Sequence, residues 1–392
     1  MDDEIADELV RTIRTWVRRE VLPTASELEH KDTYPVKFVD QMKAFGLFGA
    51  RIAPEYGGLG LDVPTYARLI EELSYGWMSL AGVLNTHMIV ANLIGRFGTG
   101  DQKQRWLPEM ATGQRRAAFS LSEPDAGSDT KSLRCRAVYD GDTYRISGTK
   151  MWVTNGERAG IVALAARTAE GVTCFLVDKE PGPAYGGITV SRHIGKLGYK
   201  GIETVEMAYS DHRVPVSAVL GGESGLGRGL QFILGSLELG RINVAARALG
   251  VARAALDSAM TYAQERRTFG VPIFEHQAIA FKLADMATKV EASRLLVRSA
   301  AERFERGERA DVEAGMAKLF ASETALEVAT EAMRILGGYG YTTEFPVERY
   351  FRDAPLMILG EGTNEIQHMV IARGLLKRWN EEGGEREGFG SS

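Results

Sequence analysis

The stretch GIVALAARTAEGVTCFLVDK, residues 160–179, is the part of the sequence that best indicates the fold. It contains two short apolar runs, IVALAAR and TCFLVDK, with the turn signal Glu170-Gly171 between them. Apolar runs of this length, bounded by glycine and containing β-branched residues, are typical of buried strands. The stretch therefore predicts two strands of a sheet.

Further runs of this kind fill the chain from about residue 117 to residue 220. They include YRISG, ITVSRH and TVEMAYS, and turn signals such as Asp140-Gly141 separate them. Their spacing favours a compact β domain over alternating βαβ units.

Helical patterns lie on both sides of this region. In the opening segment Ile5, Leu9, Ile13 and Trp16 recur at helical spacing, and from about residue 228 the helical patterns are long and nearly unbroken. The sequence therefore predicts an α+β multidomain fold. Its predicted parts are an N-terminal helical domain (1–116), a middle β-barrel-like domain (117–227), a C-terminal helical bundle (228–380) and a flexible tail (381–392).

Composition and charge narrow the class of protein. Of the 392 residues, 44% are apolar and 25% are charged, as in soluble globular proteins, and the net charge of -5 argues against a nucleic-acid binder. The N-terminus is acidic, unlike a signal peptide, and no apolar stretch approaches the ~18 residues of a membrane span. We therefore predict a cytoplasmic protein with no nucleic-acid or membrane partner.

The sequence offers no metal site. Cys135 and Cys174 lack metal-binding spacing and are interpreted as reduced thiols, and the six histidines are scattered. The P-loop, HExxH, GxSxG and Rossmann GxGxxG patterns are also missing from the sequence.

Five other motifs occur in order along the chain. They are LSEPDAGSD (121–129), KMWVTNG (150–156), ERRTFGVPIFEHQ (265–277), RILGGYGY (334–341) and GEGTNEIQ (360–367). Together they resemble the FAD-dependent acyl-CoA dehydrogenase family, and the resemblance covers nearly the whole chain. It implies a helical domain, a β domain and a four-helix C-terminal bundle, with FAD between the β domain and the C-terminal helices.

The resemblance implies roles for the first motif. The Ser122 hydroxyl and the backbone N–H groups of Phe119 and Leu121 would face the pyrimidine edge of the flavin, where hydrogen bonds stabilise negative charge near N1. Ser128 would bind the flavin pyrophosphate or the pantetheine arm of the substrate. A simple Asx-type turn is the alternative for the turn that holds Ser128.

In the second motif, Trp152 would pack against the isoalloxazine and the Thr154 hydroxyl would bond flavin N5. A strand that carries a core tryptophan is the alternative.

The third motif resembles a segment that reaches the nucleotide across a subunit interface. Arg266 suits a pyrophosphate because its planar fork makes paired hydrogen bonds, and Thr268, Phe269 and Gln277 would complete the nucleotide contacts. A solvated helix face would also explain the adjacent arginines.

The last two motifs supply the remaining predicted cofactor contacts. Gly337 and Gly338 would let the backbone approach the diphosphate, while Arg334 stands where the family usually has glutamine. Thr363 and Glu365 match the family's last flavin contacts, at a helix N-terminus.

Glu361 falls on the catalytic position of the family's EGT motif. Dehydrogenation of a thioester needs a base for the α-proton and hydrogen bonds to the carbonyl, of which the Glu361 backbone N–H would supply one. Gly362 would let the chain pass close to the cofactor. Some family members carry the base at the position of Gly240, which cannot act as one. A carboxylate in a helix-entry loop is the alternative for Glu361.

Three further positions concern the substrate. Glu238 and Arg241 resemble a pair that supports the CoA arm, although their spacing also fits a simple helix pair. Gly360 stands where tyrosine is common, so we expect extra room near Cβ and Cγ for a short-to-medium, branched or cyclic acyl group.

The resemblance implies oxidation of an acyl-CoA to the trans-2-enoyl-CoA by a homotetramer that passes electrons to an electron-transferring flavoprotein. Two alternatives remain open from sequence. One is an acyl-CoA oxidase or flavin monooxygenase relative that uses oxygen, and the other is a non-catalytic flavoprotein scaffold.

Overall fold

A computed structural model describes residues 3–381, which form ten α-helices, one eight-stranded sheet and a small two-stranded hairpin. Most of the predicted flexible tail, residues 382–392, lies outside the described residues. The N-terminal helices are α1 (Asp3–Trp16), α2 (Leu22–His30), α3 (Val36–Ala44), α4 (Val63–Phe97) and α5 (Gly100–Ala111). A π-helical turn, Val17–Val21, joins α1 to α2.

Helix α4 is the central element of the N-terminal part. It begins where the Asp62 side chain accepts a hydrogen bond from Thr65 N at 2.7 Å, and it bends at Trp77, whose φ and ψ are -158° and 111°. Contrary to the sequence-based expectation, α4 is long and apolar enough to cross a membrane by length and composition. However, 83% of its apolar window is buried inside the protein, so α4 is a core helix here.

The middle region is one curled sheet. Its strands are β1 (Ala117–Ser120), β2 (Arg136–Asp140), β3 (Thr143–Thr154), β4 (Ile161–Thr168), β5 (Gly171–Asp178), β6 (Ala184–Tyr185), β7 (Ile188–His193) and β8 (Thr204–Pro215). The order is β1-β4-β2-β3-β8-β7-β6, and β5 pairs with β4. Strands β4 and β5 are antiparallel neighbours with Thr168 opposite Gly171, which confirms the two strands predicted from residues 160–179.

The C-terminal region is helical, as predicted. It contains α6 (Gly229–Glu265), the hairpin strands β9 (Arg267–Thr268) and β10 (Val271–Pro272), α7 (Gln277–Glu305), α8 (Asp311–Leu336), α9 (Val347–Leu359) and α10 (Asn364–Glu381). Helices α6, α7 and α8 are long, and the shorter α9 and α10 pack mainly on α8.

Small residues let α4 and α6 approach closely. A Cβ added at Gly250 would lie 2.4 Å from the Glu71 carbonyl oxygen, which backbone atoms cannot relieve. Further along the same two helices, Asn85 of α4 and Gly240 of α6 contact Glu361 in the loop between α9 and α10.

Candidate active site

The loop that carries Glu361 connects α9 to α10. Glu361 has a φ of 54° and Gly362 a φ of 86°, so two consecutive residues adopt left-handed backbone. For a non-glycine residue this conformation costs on the order of 1–3 kcal/mol and is common at functional sites. Gly362 also lacks room for a side chain, because an added Cβ would lie 2.8 Å from Gln367 Nε2.

Lys318 of α8 holds this loop in place through hydrogen bonds. Its side chain is fully buried, and Nζ donates hydrogen bonds to the Ile358 carbonyl at 2.9 Å, the Gly362 carbonyl at 3.0 Å and Asn364 Oδ1 at 2.7 Å. Burial lowers the pKa of Lys318 to about 8, and attraction to Glu361 opposes this shift. One ammonium group thus donates hydrogen bonds to residues at both ends of the loop.

The start of α10 holds the two other residues predicted from this motif. Thr363 Oγ1 accepts a hydrogen bond from Ile366 N at 3.4 Å, as a helix-capping residue does. Glu365 is exposed, and a backbone N–H at the helix start, followed by the Thr363 hydroxyl, lowers the pKa of its carboxyl. The anionic Glu365 therefore lies at the N-terminus of α10.

The Glu361 carboxylate lies between α4 and α6. Asn85 Nδ2 of α4 donates to Glu361 Oε1, while Oε2 is buried and has no hydrogen-bond partner among residues 3–381. A Cβ added at Gly240 would lie 1.8 Å from Oε2, so the glycine leaves the space that the carboxylate occupies. Burial raises the pKa of Glu361, and the Asn85 amide and the cations Arg247, Arg241 and Lys318 oppose this rise.

Buried polar groups surround this carboxylate. Asn243 Nδ2 donates to the Tyr66 hydroxyl at 2.8 Å, and the Arg247 guanidinium carbon lies 5.0 Å from the centre of the Tyr199 ring. The Tyr199 hydroxyl is within reach of Thr154 and Arg247. Burial raises the pKa of both tyrosines, which keeps them as neutral O–H donors.

The sheet contributes the predicted flavin-ring residues. Trp152 is 59% exposed, with a φ of 61°, at a register shift of the β3–β8 pair between Lys150 and Val153. Such a bulge re-aims a side chain, and here it turns the indole outward rather than into the core. Thr154 ends β3, two residues further on.

Lys150 joins this strand to the first motif. Its buried Nζ donates at 2.8 Å to both the Leu121 carbonyl and Glu123 Oε1, and Met151 N donates to the Ser122 carbonyl at 2.9 Å. Phe119, Leu121 and Ser122 are partly exposed beside it. The structure thus brings the first two motifs together, whereas Ser128 lies exposed further along its loop.

Four of the nucleotide-binding residues predicted from the third and fourth motifs, Arg266, Thr268, Gly337 and Gly338, meet at a groove of about 520 Å³. The groove is lined by Tyr262, Arg266, Thr268, Ile273, Ile335, Leu336, Gly337, Gly338, Tyr339 and Thr342. Phe269 is 98% exposed, and Gln277 is also exposed. Arg334 is not among the lining residues, and its guanidinium pairs with Glu331 on its own helix.

The predicted CoA-arm pair lies on α6. Arg241 is 7% exposed, and its Nε has no partner within the described part of the chain. Burial lowers the pKa of Arg241 and raises the pKa of Glu238, and the attraction between the two groups opposes both shifts. The pair is therefore electrostatically coupled at the edge of the Glu361 site.

Tyr66, Tyr199, Asn243 and Arg247 were missed by sequence reasoning, and so were three residues that hydrogen-bond to the motifs. Asn85, Lys150 and Lys318 each donate a hydrogen bond to a residue of one motif, but none of them belongs to the motif to which it donates. The two lysines carry a weak signal, because each is a lone cation in a largely apolar segment, KMWV or GMAKLFA. Asn85 has no comparable signal.

The residues present fit FAD. Trp152 offers an exposed flat ring, and Arg266 offers a cation beside Gly337 and Gly338, where an added Cβ would meet nothing within 4 Å. An open backbone beside a guanidinium suits a pyrophosphate.

Family models identify the class of protein. The N-terminal, middle and C-terminal domains of acyl-CoA dehydrogenases match residues 3–114, 118–212 and 227–376. The chain therefore belongs to the acyl-CoA dehydrogenase family, whose members are FAD-dependent oxidoreductases of fatty acid metabolism.

Individual relatives match this chain over nearly its full length. An acyl-CoA dehydrogenase of Bacillus subtilis (strain 168) is 41% identical over 372 residues, which is 93% of this chain and 96% of that protein. The structure of butyryl-CoA dehydrogenase from Megasphaera elsdenii is 37% identical with a TM-score of 0.91, covering 96% of this chain and 98% of that chain. The same values hold for a structure described as "Electron transferring flavoprotein of Acidaminococcus fermentans: Towards a mechanism of flavin-based electron bifurcation".

Replacing Asn85 should change the pH dependence of the site. The Asn85 amide stabilises the ionised carboxylate of Glu361, so Asn85→Leu should raise the pKa of Glu361 further. If Glu361 must be ionised to act, the acid limb of kcat/KM moves to higher pH, with a loss of about tenfold on that limb. The measurement is kcat/KM as a function of pH across the acid and neutral range. An acid limb at the same pH in both proteins would contradict the role assigned to Asn85.

Proposed function

We propose that this protein oxidises an acyl-CoA thioester to the trans-2-enoyl-CoA, with Glu361 as the base that removes the α-proton. The observation that carries this proposal is the buried Oε2 of Glu361, which has no hydrogen-bond partner among the described residues. Bound FAD supplies the hydride acceptor at N5.

The surroundings of Glu361 support its role as a base. Burial raises the pKa of its carboxyl, which makes it a stronger base than an exposed glutamate. The Asn85 amide fixes one oxygen and leaves the other free to face a substrate. The left-handed backbone of Glu361 points to a position held for function, and its N–H is the proposed donor to the thioester carbonyl.

The other motif residues are proposed to bind and orient. Ser122, Trp152 and Thr154 would contact the flavin ring, and Arg266, Thr268, Gly337 and Gly338 the pyrophosphate. Glu238, Arg241 and Ser128 would contact the CoA arm. The outward-facing Trp152 and the shared groove support these assignments.

A short-to-medium, branched or cyclic acyl group is the proposed substrate. A Cβ added at Gly360 would meet only the Leu356 carbonyl oxygen, at 3.2 Å, so no side chain fills this space beside Glu361. The relatives include a butyryl-CoA dehydrogenase, which supports a short chain.

A panel of acyl-CoAs tests this function. Under anaerobic conditions isobutyryl-CoA or cyclohexanecarbonyl-CoA should bleach the bound flavin faster than straight long-chain acyl-CoAs. A strong preference for plain long chains would contradict the proposed acyl group, and no bleaching by any acyl-CoA would contradict the dehydrogenation itself.

The Gly360→Tyr variant tests the pocket directly. Gly360 has a φ of -74°, which tyrosine can adopt, so the new ring should enter the pocket once the Leu356 carbonyl oxygen, 3.2 Å from the added Cβ, shifts slightly. We expect kcat/KM for the branched and cyclic substrates to fall about tenfold or more relative to butyryl-CoA. An equal change for all substrates would contradict a role of this space in acyl selection.

The proposed partner is an electron-transferring flavoprotein, and the proposed assembly is a cytoplasmic homotetramer. Apolar side chains near the Arg266 segment are exposed in the single chain, with Phe269 at 98% and Tyr341 at 87%, which supports a covering subunit. The rate at which air re-oxidises the reduced enzyme tests this proposal. A dehydrogenase should be re-oxidised slowly, whereas an oxygen-using relative should be re-oxidised rapidly.

A further inference from the structure

A fully buried lysine connects the first two motifs. Lys150 is 0% exposed, and its Nζ donates hydrogen bonds of 2.8 Å to the Leu121 carbonyl and to Glu123 Oε1. It directly precedes the β-bulge that turns Trp152 outward. Burying an ammonium group is costly even when it is paired, and apolar side chains in place of a buried ion pair are often neutral or stabilising. Stability alone therefore does not explain a lysine at this position.

The Glu123 carboxylate favours the charged form of this lysine. The Glu123 side chain is 6% exposed, and it also accepts hydrogen bonds from Arg134 N at 2.7 Å and Cys135 N at 3.0 Å. Burial acts to raise the pKa of Glu123, but the hydrogen bonds from Lys150 and these two N–H groups hold it below its usual value. Burial lowers the pKa of Lys150, and Cys135 and Glu123 oppose this shift. An ionised carboxylate at 2.8 Å thus stabilises the protonated lysine.

Hydrogen bonds at this junction fix the backbone on both sides of Ser122. Lys150 Nζ holds the Leu121 carbonyl, and Met151 N donates to the Ser122 carbonyl at 2.9 Å. Because the Leu121–Ser122 peptide is trans, the Ser122 N–H points away from the Leu121 carbonyl and so away from the ammonium group. This N–H donates to no residue from 3 to 381, and Ser122 is partly exposed. The junction thus presents a backbone donor that is fixed in position and free to bind a ligand.

The ammonium group also strengthens this donor. A carbonyl that accepts a hydrogen bond from a charged group is polarised, so the N–H of the same peptide becomes a stronger donor. Leu121 and Ser122 are the proposed contacts of the pyrimidine edge of the flavin, which gains negative charge on reduction. A polarised donor at this edge binds the more negative form more strongly.

We propose that Lys150 is a positioning residue for FAD, which fixes and polarises the Leu121–Ser122 peptide so that it binds reduced FAD more tightly than oxidised FAD. Lys150 thereby raises the reduction potential of the bound cofactor. This inference rests on the proposed function, because it uses the proposed flavin contacts of Leu121 and Ser122. It does not involve Glu361 or the acyl group, so its test needs no substrate and its failure leaves the role of the base untouched.

The competing explanation is that Lys150 only holds the loop after Glu123 in place. The two explanations differ in their effect on the two redox states of FAD. Loss of a purely structural contact would weaken the binding of both states equally and leave the reduction potential unchanged. Loss of a polarised donor would weaken the binding of the reduced state more, and the potential would fall by about 30 mV for each tenfold difference.

The double variant Lys150→Met/Glu123→Gln removes the ion pair without leaving a lone buried charge. Glutamine keeps the shape of Glu123 and can still accept a hydrogen bond from Arg134 N or Cys135 N. We expect the apoprotein to lose affinity for oxidised FAD about threefold and for reduced FAD about thirtyfold, which lowers the potential by about 30 mV. Fluorescence titration measures FAD binding, and equilibration with reference dyes measures the potential. Equal losses for both states, with an unchanged potential, would overturn the proposal.

Glu123→Gln alone tests the sign of the effect, and it decides the question if the double variant does not fold. It keeps the ammonium group and removes its counter-charge. At mildly acidic pH, which keeps the lysine protonated, the potential of the bound FAD should therefore rise. A fall or no change would overturn the proposal.

Lys179→Met is the matched control. Lys179 is 1% exposed, and its Nζ donates to the Glu157 carbonyl at 3.2 Å and the Ala159 carbonyl at 3.0 Å, neither of which belongs to a motif. Its replacement should lower stability and leave the potential of the bound FAD unchanged. A shift as large as that of the double variant would show a general effect of buried lysines in the sheet and would overturn the specific role of Lys150.

Discussion

Glu361→Gln is expected to reduce kcat by roughly 10³–10⁴-fold, since general-base catalysis contributes on that order. Glutamine has the size of glutamate and can still accept a hydrogen bond from Asn85, so the loop should keep its structure. It cannot take up the α-proton. The measurement is anaerobic flavin bleaching by a substrate that the unchanged enzyme oxidises.

FAD content and thermal stability are the controls for this variant. Both should stay near those of the unchanged protein, because Glu361 is proposed to contact the substrate rather than to hold the cofactor. Glu344→Gln, at an exposed glutamate before α9, is the matched surface change and should leave turnover unaltered. Normal bleaching by Glu361→Gln would show that another group is the base.

Lys318→Met is expected to have the largest effect on structure. The change removes three hydrogen bonds and leaves the Ile358 carbonyl without its lysine donor, whereas the Gly362 carbonyl keeps the hydrogen bond from Gln367 Nε2. We expect a loss of roughly 2–4 kcal/mol in the free energy of unfolding, because a hydrogen bond to a charged group contributes about 1.5–3 kcal/mol and an orphaned buried group costs about 1–3 kcal/mol. Misplacement of Glu361 should also lower kcat/KM on the order of 100-fold.

A second lysine provides the comparison for this prediction. Lys289 of α7 pairs with Glu327 at the surface, with 38% and 54% of the two side chains exposed. Lys289→Met should therefore cost less than about 1 kcal/mol and leave activity unchanged. Denaturant unfolding of both variants measures the difference. Equal stability of Lys318→Met and Lys289→Met would contradict the role assigned to Lys318.

The sequence was sufficient to predict those parts of the fold that depend on local patterns. Residues 160–179 contain two apolar runs and a turn signal, and the structure pairs them as β4 and β5. The motif residues followed from a resemblance, and the structure brings Arg266, Thr268, Gly337 and Gly338 to one groove. Local patterns were therefore enough for the architecture, and the ordered motifs identified four residues that line one groove, whose roles stay predictions.

Residues that act across the fold could not be predicted in this way. Asn85 lies 276 positions from Glu361, and Lys318 lies 44 positions from Gly362, so no local spacing links them. The outward turn of Trp152 depends on a β-bulge, whose register shift appears only when β3 pairs with β8. Arg247 likewise fits a helical pattern, and only the tertiary packing shows that it is buried against the Tyr199 ring.

Exchange of the α-hydrogen with solvent tests the central claim most directly, because it isolates proton removal from every later step. The enzyme is incubated anaerobically with an acyl-CoA in D2O, and deuterium at the α-carbon is followed by mass spectrometry. We predict rapid incorporation with the unchanged protein and none above the solvent background with Glu361→Gln. Equal incorporation by both proteins would contradict the assignment of Glu361 as the base.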